Sequence, residues 1–143
     1  MIDAPLFDNA VNQNVAAKIL FADDDPLMHR LYQNHIERAG YEFIGVTNGR
    51  EAVEAAGRQQ PDVAVVDLMM PELDGVSVVL ALKRAEATRK IPVMLITGES
   101  NYYMCQRQFA EAGASAFLSK PFGPGQLLQA IHRLLPQPPA TPA

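Results

Sequence analysis

Disulfides are the first thing this chain cannot have. It carries one cysteine, Cys105, so no internal bridge can form, and a reducing compartment, the cytoplasm, is expected. No apolar run approaches the ~20 residues that span a bilayer. The first 16 residues, MIDAPLFDNAVNQNVA, lack the basic start and apolar stretch of a secretion signal. Basic side chains are in the minority: 12 Lys and Arg against 16 Asp and Glu leave a formal charge of −4. Neither nucleic acid nor an anionic membrane would find its phosphates neutralised, so neither is expected as a partner. The three histidines, His29, His35 and His132, do not cluster and are not expected to ligate metal or carry phosphate.

What is present suits one domain: 143 residues, 48% of them hydrophobic. Residues 1–16 read as a loose arm. The eight residues after Leu135, PQPPATPA, hold four prolines, which exclude a helix or a central strand. Residues 17–136 are therefore expected to form the folded unit, with 137–143 as a proline-rich tail or linker.

Within that unit the hydrophobic period alternates between strand and helix. Apolar runs at Ile19–Ala22, Tyr41–Val46, Val63–Val66, Ile91–Ile96 and Ala114–Ser119 predict five strands. Between and after them, helical spacing predicts a first helix with Met28, Leu31, Tyr32, His35, Ile36 and Ala39 on one face, stopped at Gly40. A second follows over Arg50–Arg58, turning Val53 and Ala56 inward. A third opens on Val76, Val79 and Leu80, a fourth covers 100–112, and a fifth carries Leu127, Leu128, Ile131, Leu134 and Leu135. Five βα repeats require right-handed crossovers and a doubly wound parallel five-stranded sheet. The predicted architecture is an α/β three-layer sandwich with strand order 2-1-3-4-5. Ligands of such sheets bind beyond the carboxyl ends of the strands, where the order reverses.

Polar residues stand at those ends. Strand 1 runs into Asp23-Asp24-Asp25, strand 3 into Asp67, strand 4 into Thr97 and strand 5 into Lys120. Two like charges ~4 Å apart repel by about 4 kcal/mol at an effective dielectric of about 20. Three carboxylates therefore need cations: Lys120 supplies one charge, and clustered oxygen ligands suit Mg²⁺. A carboxylate beside Mg²⁺, a lysine and a hydroxyl can attack phosphorus and form an aspartyl phosphate.

The segments ILFADDDP, VVDLMMPELDG, MLITGES and FLSKPF resemble, in order and spacing, the four motif blocks of response-regulator receiver domains of two-component systems. The resemblance covers essentially the whole folded unit. It implies a flavodoxin-like sandwich in which Asp67 is the phosphoacceptor. It also implies that Asp24 holds Mg²⁺ directly and Asp23 through a water, with Asp67 and the backbone carbonyl of Met69 completing the ligands from the protein. Lys120 would pair with Asp67 and then with the phosphoryl group, Thr97 would be the switch hydroxyl, and Phe117 the switch aromatic. The Lys120–Pro121 bond would be cis. The implied partners are a sensor histidine kinase or histidine phosphotransfer protein, and a downstream protein bound through helix 4, strand 5 and helix 5. The protein would be a monomer or a phosphorylation-linked homodimer, and not an enzyme. With only eight residues after Leu135, output is expected from partner binding, or from a larger response regulator or hybrid kinase of which this is one module.

Other readings are weaker. A Mg²⁺-dependent phosphatase of the haloacid dehalogenase type needs a second carboxylate two residues after its nucleophile, and Met69 stands there. A flavodoxin-like nucleotide binder needs a phosphate loop free of acids, and Asp23-Asp24-Asp25 would repel the phosphate. Met69 also cannot orient a hydrolytic water, so slow phosphate loss is expected, and Gly98 leaves room beside Thr97. Asp25-Pro26 and Asp74-Gly75 read as helix starts. Tyr102, Tyr103 and Met104 would suit a partner surface, and Cys105 is given no redox role.

Overall fold

The computed structural model describes the backbone of residues 16–136 and the side chains of all of these except 99–105. The predicted arm and tail, and the side chains of Tyr102 to Cys105, lie outside the described residues. The elements run β1 (Lys18–Ala22), α1 (Pro26–Arg38), β2 (Glu42–Val46), α2 (Gly49–Gln59), β3 (Val63–Asp67), α3 (Gly75–Arg84), β4 (Val93–Thr97), α4 (Glu99–Ala112), β5 (Ala116–Ser119) and α5 (Pro124–Leu134). All strand pairs are parallel and the sheet order is β2-β1-β3-β4-β5, as predicted.

The two-residue period of the strands sorts the core into two layers. Ile19, Phe21, Val63, Val65, Met94 and Ile96 pack on Tyr32 and Ile36 of α1 and on Leu127 and Ile131 of α5. Leu20, Ala22, Ala64, Val66, Val93 and Leu95 face the other way, onto Ala52, Ala55 and Ala56 of α2, Val78, Val79 and Leu82 of α3, and Phe109 of α4. Every residue of β3 and β4 is buried, which explains their unbroken apolar runs. The edge strand β5 is half-buried throughout.

Three strands begin later than their apolar runs, for one reason. The N–H groups of Tyr41, Ile91 and Ala114 close the preceding helix or turn, onto the carbonyls of Ile36, Thr88 and Phe109. They are not free for the sheet. Two helix faces also differ from the predicted ones. Leu31 is 46% exposed and Ala39 is exposed, because α1 turns Met28, Tyr32 and Ile36 inward at a spacing of four. Leu80 is exposed because α3 buries Val78, Val79 and Leu82.

The helix starts carry side-chain caps at the carboxyl rim of the sheet. Asp25 accepts from the Leu27 N–H at 2.9 Å, Asn48 from Glu51 at 2.8 Å and Asp74 from Ser77 at 2.9 Å. Pro26 occupies the first turn of α1, and Gly40 follows its last turn at φ +95°. At the opposite rim the Lys18 N–H donates to Asp62 at 2.7 Å. There Leu134 and Pro136 share a cleft of about 410 Å³ with Pro61, Asp62 and Pro92.

The start of α2 is pressed against the loop after β3. The Gly49 N–H donates to the Pro71 carbonyl, and a Cβ at Gly49 would lie 1.8 Å from the Leu73 carbonyl oxygen. That oxygen belongs to backbone and cannot swing away. Gly49→Ala should therefore destabilise the fold by about 2–3 kcal/mol, at the upper end of overpacking costs. Urea denaturation of the two proteins measures this; a difference below about 0.5 kcal/mol would contradict the close approach.

Candidate functional site

The site is built at the carboxyl ends of β1, β3, β4 and β5. Parallel strands ending in register bring Asp23, Asp67, Thr97 and Lys120 to one rim, where β1 and β3 flank the reversal of strand order. One carboxylate oxygen from each of Asp23, Asp24 and Asp67 lies within 4.8 Å of the others. Asp23 and Asp67 are buried, and Asp24 is exposed on the outer side of the group. Three hard oxygen donors this close, one facing solvent, fit a small divalent cation that keeps part of its water shell.

Lys120 reaches in from the end of β5. Its Nζ is 3.5 Å from Asp67 Oδ1 and 3.9 Å from Asp23 Oδ2. The Lys120–Pro121 bond is cis, and the Lys120 N–H donates to the Thr97 carbonyl at 2.8 Å, tying the ends of β4 and β5. Thr97 is buried, and its hydroxyl donates to the Gly98 carbonyl at a long 3.3 Å. A side chain at Gly98 would meet open space. Phe117 is half-buried, its ring 5.6 Å from that of Phe109, against the core layer formed by α2, α3 and α4. Met69 follows β3 by two residues and is 68% exposed.

Burial dominates the electrostatics. It pushes the Asp67 carboxyl up to about 6, the Asp23 charge pushes the same way, and Lys120 opposes both. Asp23 is also raised, by burial first; the Asp25 N–H bonded to Asp23 Oδ1 at 2.9 Å and the Lys120 charge pull it back.

One neighbour escaped the sequence reasoning. His29, from the second turn of α1, places Nε2 2.6 Å from the backbone carbonyl of Asp23. No motif marks it. The visible signal was its position six residues after Asp23, on the side of α1 that also carries Tyr32 and Ile36. His35 is half-buried and is not among the residues of the acidic site.

The comparisons agree with this architecture. The family profile described as response regulator receiver domain matches residues 19–132. The chain is 32% identical over 118 residues to chemotaxis protein CheY of Thermotoga maritima, covering 82% of this chain and 96% of that protein. It is 35% identical over 118 residues to RpaA of Synechocystis, a DNA-binding transcriptional regulator; this covers 82% of the chain but only 48% of the relative. Among solved structures, the receiver domain of sensor histidine kinase PA1611 from Pseudomonas aeruginosa superposes with a TM-score of 0.76 at 28% identity, covering 84% of this chain and 98% of that one. That structure carries a magnesium ion in its active-site cleft. Fold and rim together define a doubly wound α/β domain with an acidic pocket at the strand ends. The chain belongs to the response regulator receiver domains of two-component signalling. Among the described residues no helix is long and apolar enough to cross a membrane.

The raised Asp67 carboxyl makes a signed prediction for metal-free protein. A carboxyl whose folded pKa lies above its ordinary 3.8 adds stability that is complete below 3.8 and lost as pH rises through about 6. Asparagine imitates the neutral form at every pH. In EDTA, Asp67→Asn should exceed the wild type in stability by about 2–3 kcal/mol at pH 8, and the gap should close as pH falls towards 4. Denaturation across that range reads it, and a constant gap would exclude Asp67 as the titrating group.

Proposed function

We propose that this domain is a phosphorylation switch that accepts a phosphoryl group on Asp67 from a phosphohistidine donor. The reading rests on one juxtaposition: three carboxylates within 4.8 Å of one another, one of them 3.5 Å from an ammonium, at the reversal point of a doubly wound sheet. Asp24 and Asp67, Asp23 through a water, and the Met69 carbonyl would hold Mg²⁺. When bound, the metal supplies positive charge to the phosphoryl oxygens during transfer.

The chain's own groups carry the rest. At neutral pH the Asp67 carboxylate is largely ionised yet buried, so few waters must leave before it attacks phosphorus. The bond between phosphorus and the donor imidazole nitrogen breaks, and its electron pair leaves with the imidazole, which takes up a proton. Lys120 moves its charge from Asp67 Oδ1 to a phosphoryl oxygen. Thr97, whose hydroxyl now makes only a long bond to its neighbour's carbonyl, turns to donate to another. The space it leaves lets Phe117 move. The surface of α4, β5 and α5 changes with it, so that a downstream protein distinguishes the two states. The phosphate biases two arrangements of one fold. Such a domain signals rather than turning over substrate, and acts in the cytoplasm, alone, as a phosphorylation-linked dimer, or as a module of a longer regulator or kinase.

The direct test is phosphoryl uptake from acetyl phosphate with Mg²⁺, read by intact mass. Wild type should gain one phosphoryl group and Asp67→Asn none; a variant that still gains one would reject Asp67 as acceptor. Lifetime is the second readout. An exposed thioether two residues after the acceptor cannot orient water, so Met69→Asn should shorten the life of the phosphorylated form several-fold, and an unchanged decay rate would dismiss that role for Met69.

A further inference from the structure

The loop between β1 and α1 holds two of the three acids, and its geometry points to how it is held. Asp23 is tethered through its backbone at both ends. Its N–H donates to the Val46 carbonyl at 3.1 Å, and its own carbonyl lies 2.6 Å from His29 Nε2. A carbonyl can only accept, so Nε2 carries the hydrogen and donates it. The peptide group so gripped joins Asp23 to Asp24. Its orientation sets where the Asp24 carboxylate, the exposed member of the acidic group, projects.

The imidazole is itself confined. It stands edge-on to Phe21, with ring centres 5.5 Å apart and an angle of 84°, and edge-on to Phe43 at 6.0 Å and 88°. Behind it lies Gly45 of β2, where a Cβ would lie 2.7 Å from Nδ1 and 3.0 Å from Cε1, and also 2.7 Å from Cε2 of Phe43, the ring that the imidazole abuts. Only a residue without a side chain leaves the ring its place. Two aromatic edges, a bare stretch of β2 and one short hydrogen bond therefore fix His29 against the loop.

We infer that His29 is a positioning residue for metal binding, acting through the Asp23 carbonyl to hold Asp23 and Asp24 in the orientation that a divalent cation needs. This rests on the reading of the acidic group as a Mg²⁺ site. Partners that orient ligands from behind typically change metal affinity by about 10–100-fold when removed. The hydrogen bond, and not the ring's packing, carries the effect.

Isothermal titration of the purified protein with MgCl₂ tests it, and needs no fluorescent reporter in a chain without tryptophan. His29→Phe keeps an aromatic ring between Phe21 and Phe43 but has no donor; it should weaken Mg²⁺ binding about tenfold. His29→Gln, whose amide N–H can reach the same carbonyl, should restore affinity to within about threefold. Gly45→Ala leaves every donor in the chain intact and crowds the His29 and Phe43 rings together; it should weaken binding as His29→Phe does, and it carries the test if His29→Phe does not fold. Melting in EDTA is measured alongside. A variant that loses thermal stability but binds Mg²⁺ like the wild type would show a structural role only and overturn the inference, as would equal affinities of the Phe and Gln variants. Wild type that takes up no Mg²⁺ at all would instead overturn the metal reading, and this inference with it.

Discussion

The Lys120 ammonium stands against two buried acids, 3.5 Å from Asp67 and 3.9 Å from Asp23, and the rest of the domain is organised around that compensation. Burial alone would neutralise these carboxyls, and it moves Asp67 up to about 6 in spite of the lysine. The βα repeat contributes further. Each helix begins at the rim where the acids sit, and a helix start carries about half a positive charge. The fold thus offers negative charge a partly favourable setting and leaves the remaining deficit to a cation. Under the proposed function, adding a phosphoryl group to such a site would change which partner Lys120 faces.

Much of this was legible in the sequence, because it depends on period and position. The unbroken run Val63–Val66 marks a strand buried on both faces, and the acids and hydroxyl follow their strands within a residue or so, so a parallel sheet must bring them together. Asp25 and Asp74 announced helix starts by residue type. What escaped depends on proximity that no local pattern encodes. Leu31 looked like core because it shares helical spacing with Tyr32 and His35; whether a given flank of α1 meets the sheet is decided by how the helix lies on it. The start of β2 was placed one residue early because Tyr41 is a good strand residue, although its N–H closes α1. His29 was set aside as unclustered, which it is among histidines; its partner is a backbone carbonyl, invisible to any search over side chains.

The polar groups of the rim also share one hydrogen-bond network with the fold. The Lys120 N–H hangs on the Thr97 carbonyl, the Asp25 N–H on the Asp23 carboxylate, and the Gly75 N–H on the Leu68 carbonyl just past Asp67. The residues that border the acids therefore also start helices and end strands. Loss of affinity in a rim variant therefore has to be separated from loss of folding, because the Asp23 carboxylate serves both as a helix-start acceptor and as a member of the acidic group.

The domain's entrance and exit lie together at the other rim: β1 starts beside Asp62, and α5 ends where Leu134 and Pro136 border the same cleft as Asp62. The length of the strands separates this seam from the acids. Both ends of the described fold therefore lie on the rim away from the acids, and a junction at that rim need not distort the pocket. That gives a geometric reason why one unit can fill nearly all of a small chemotaxis protein and only half of a larger regulator such as RpaA: the domain can be grafted by its back while its working face stays open.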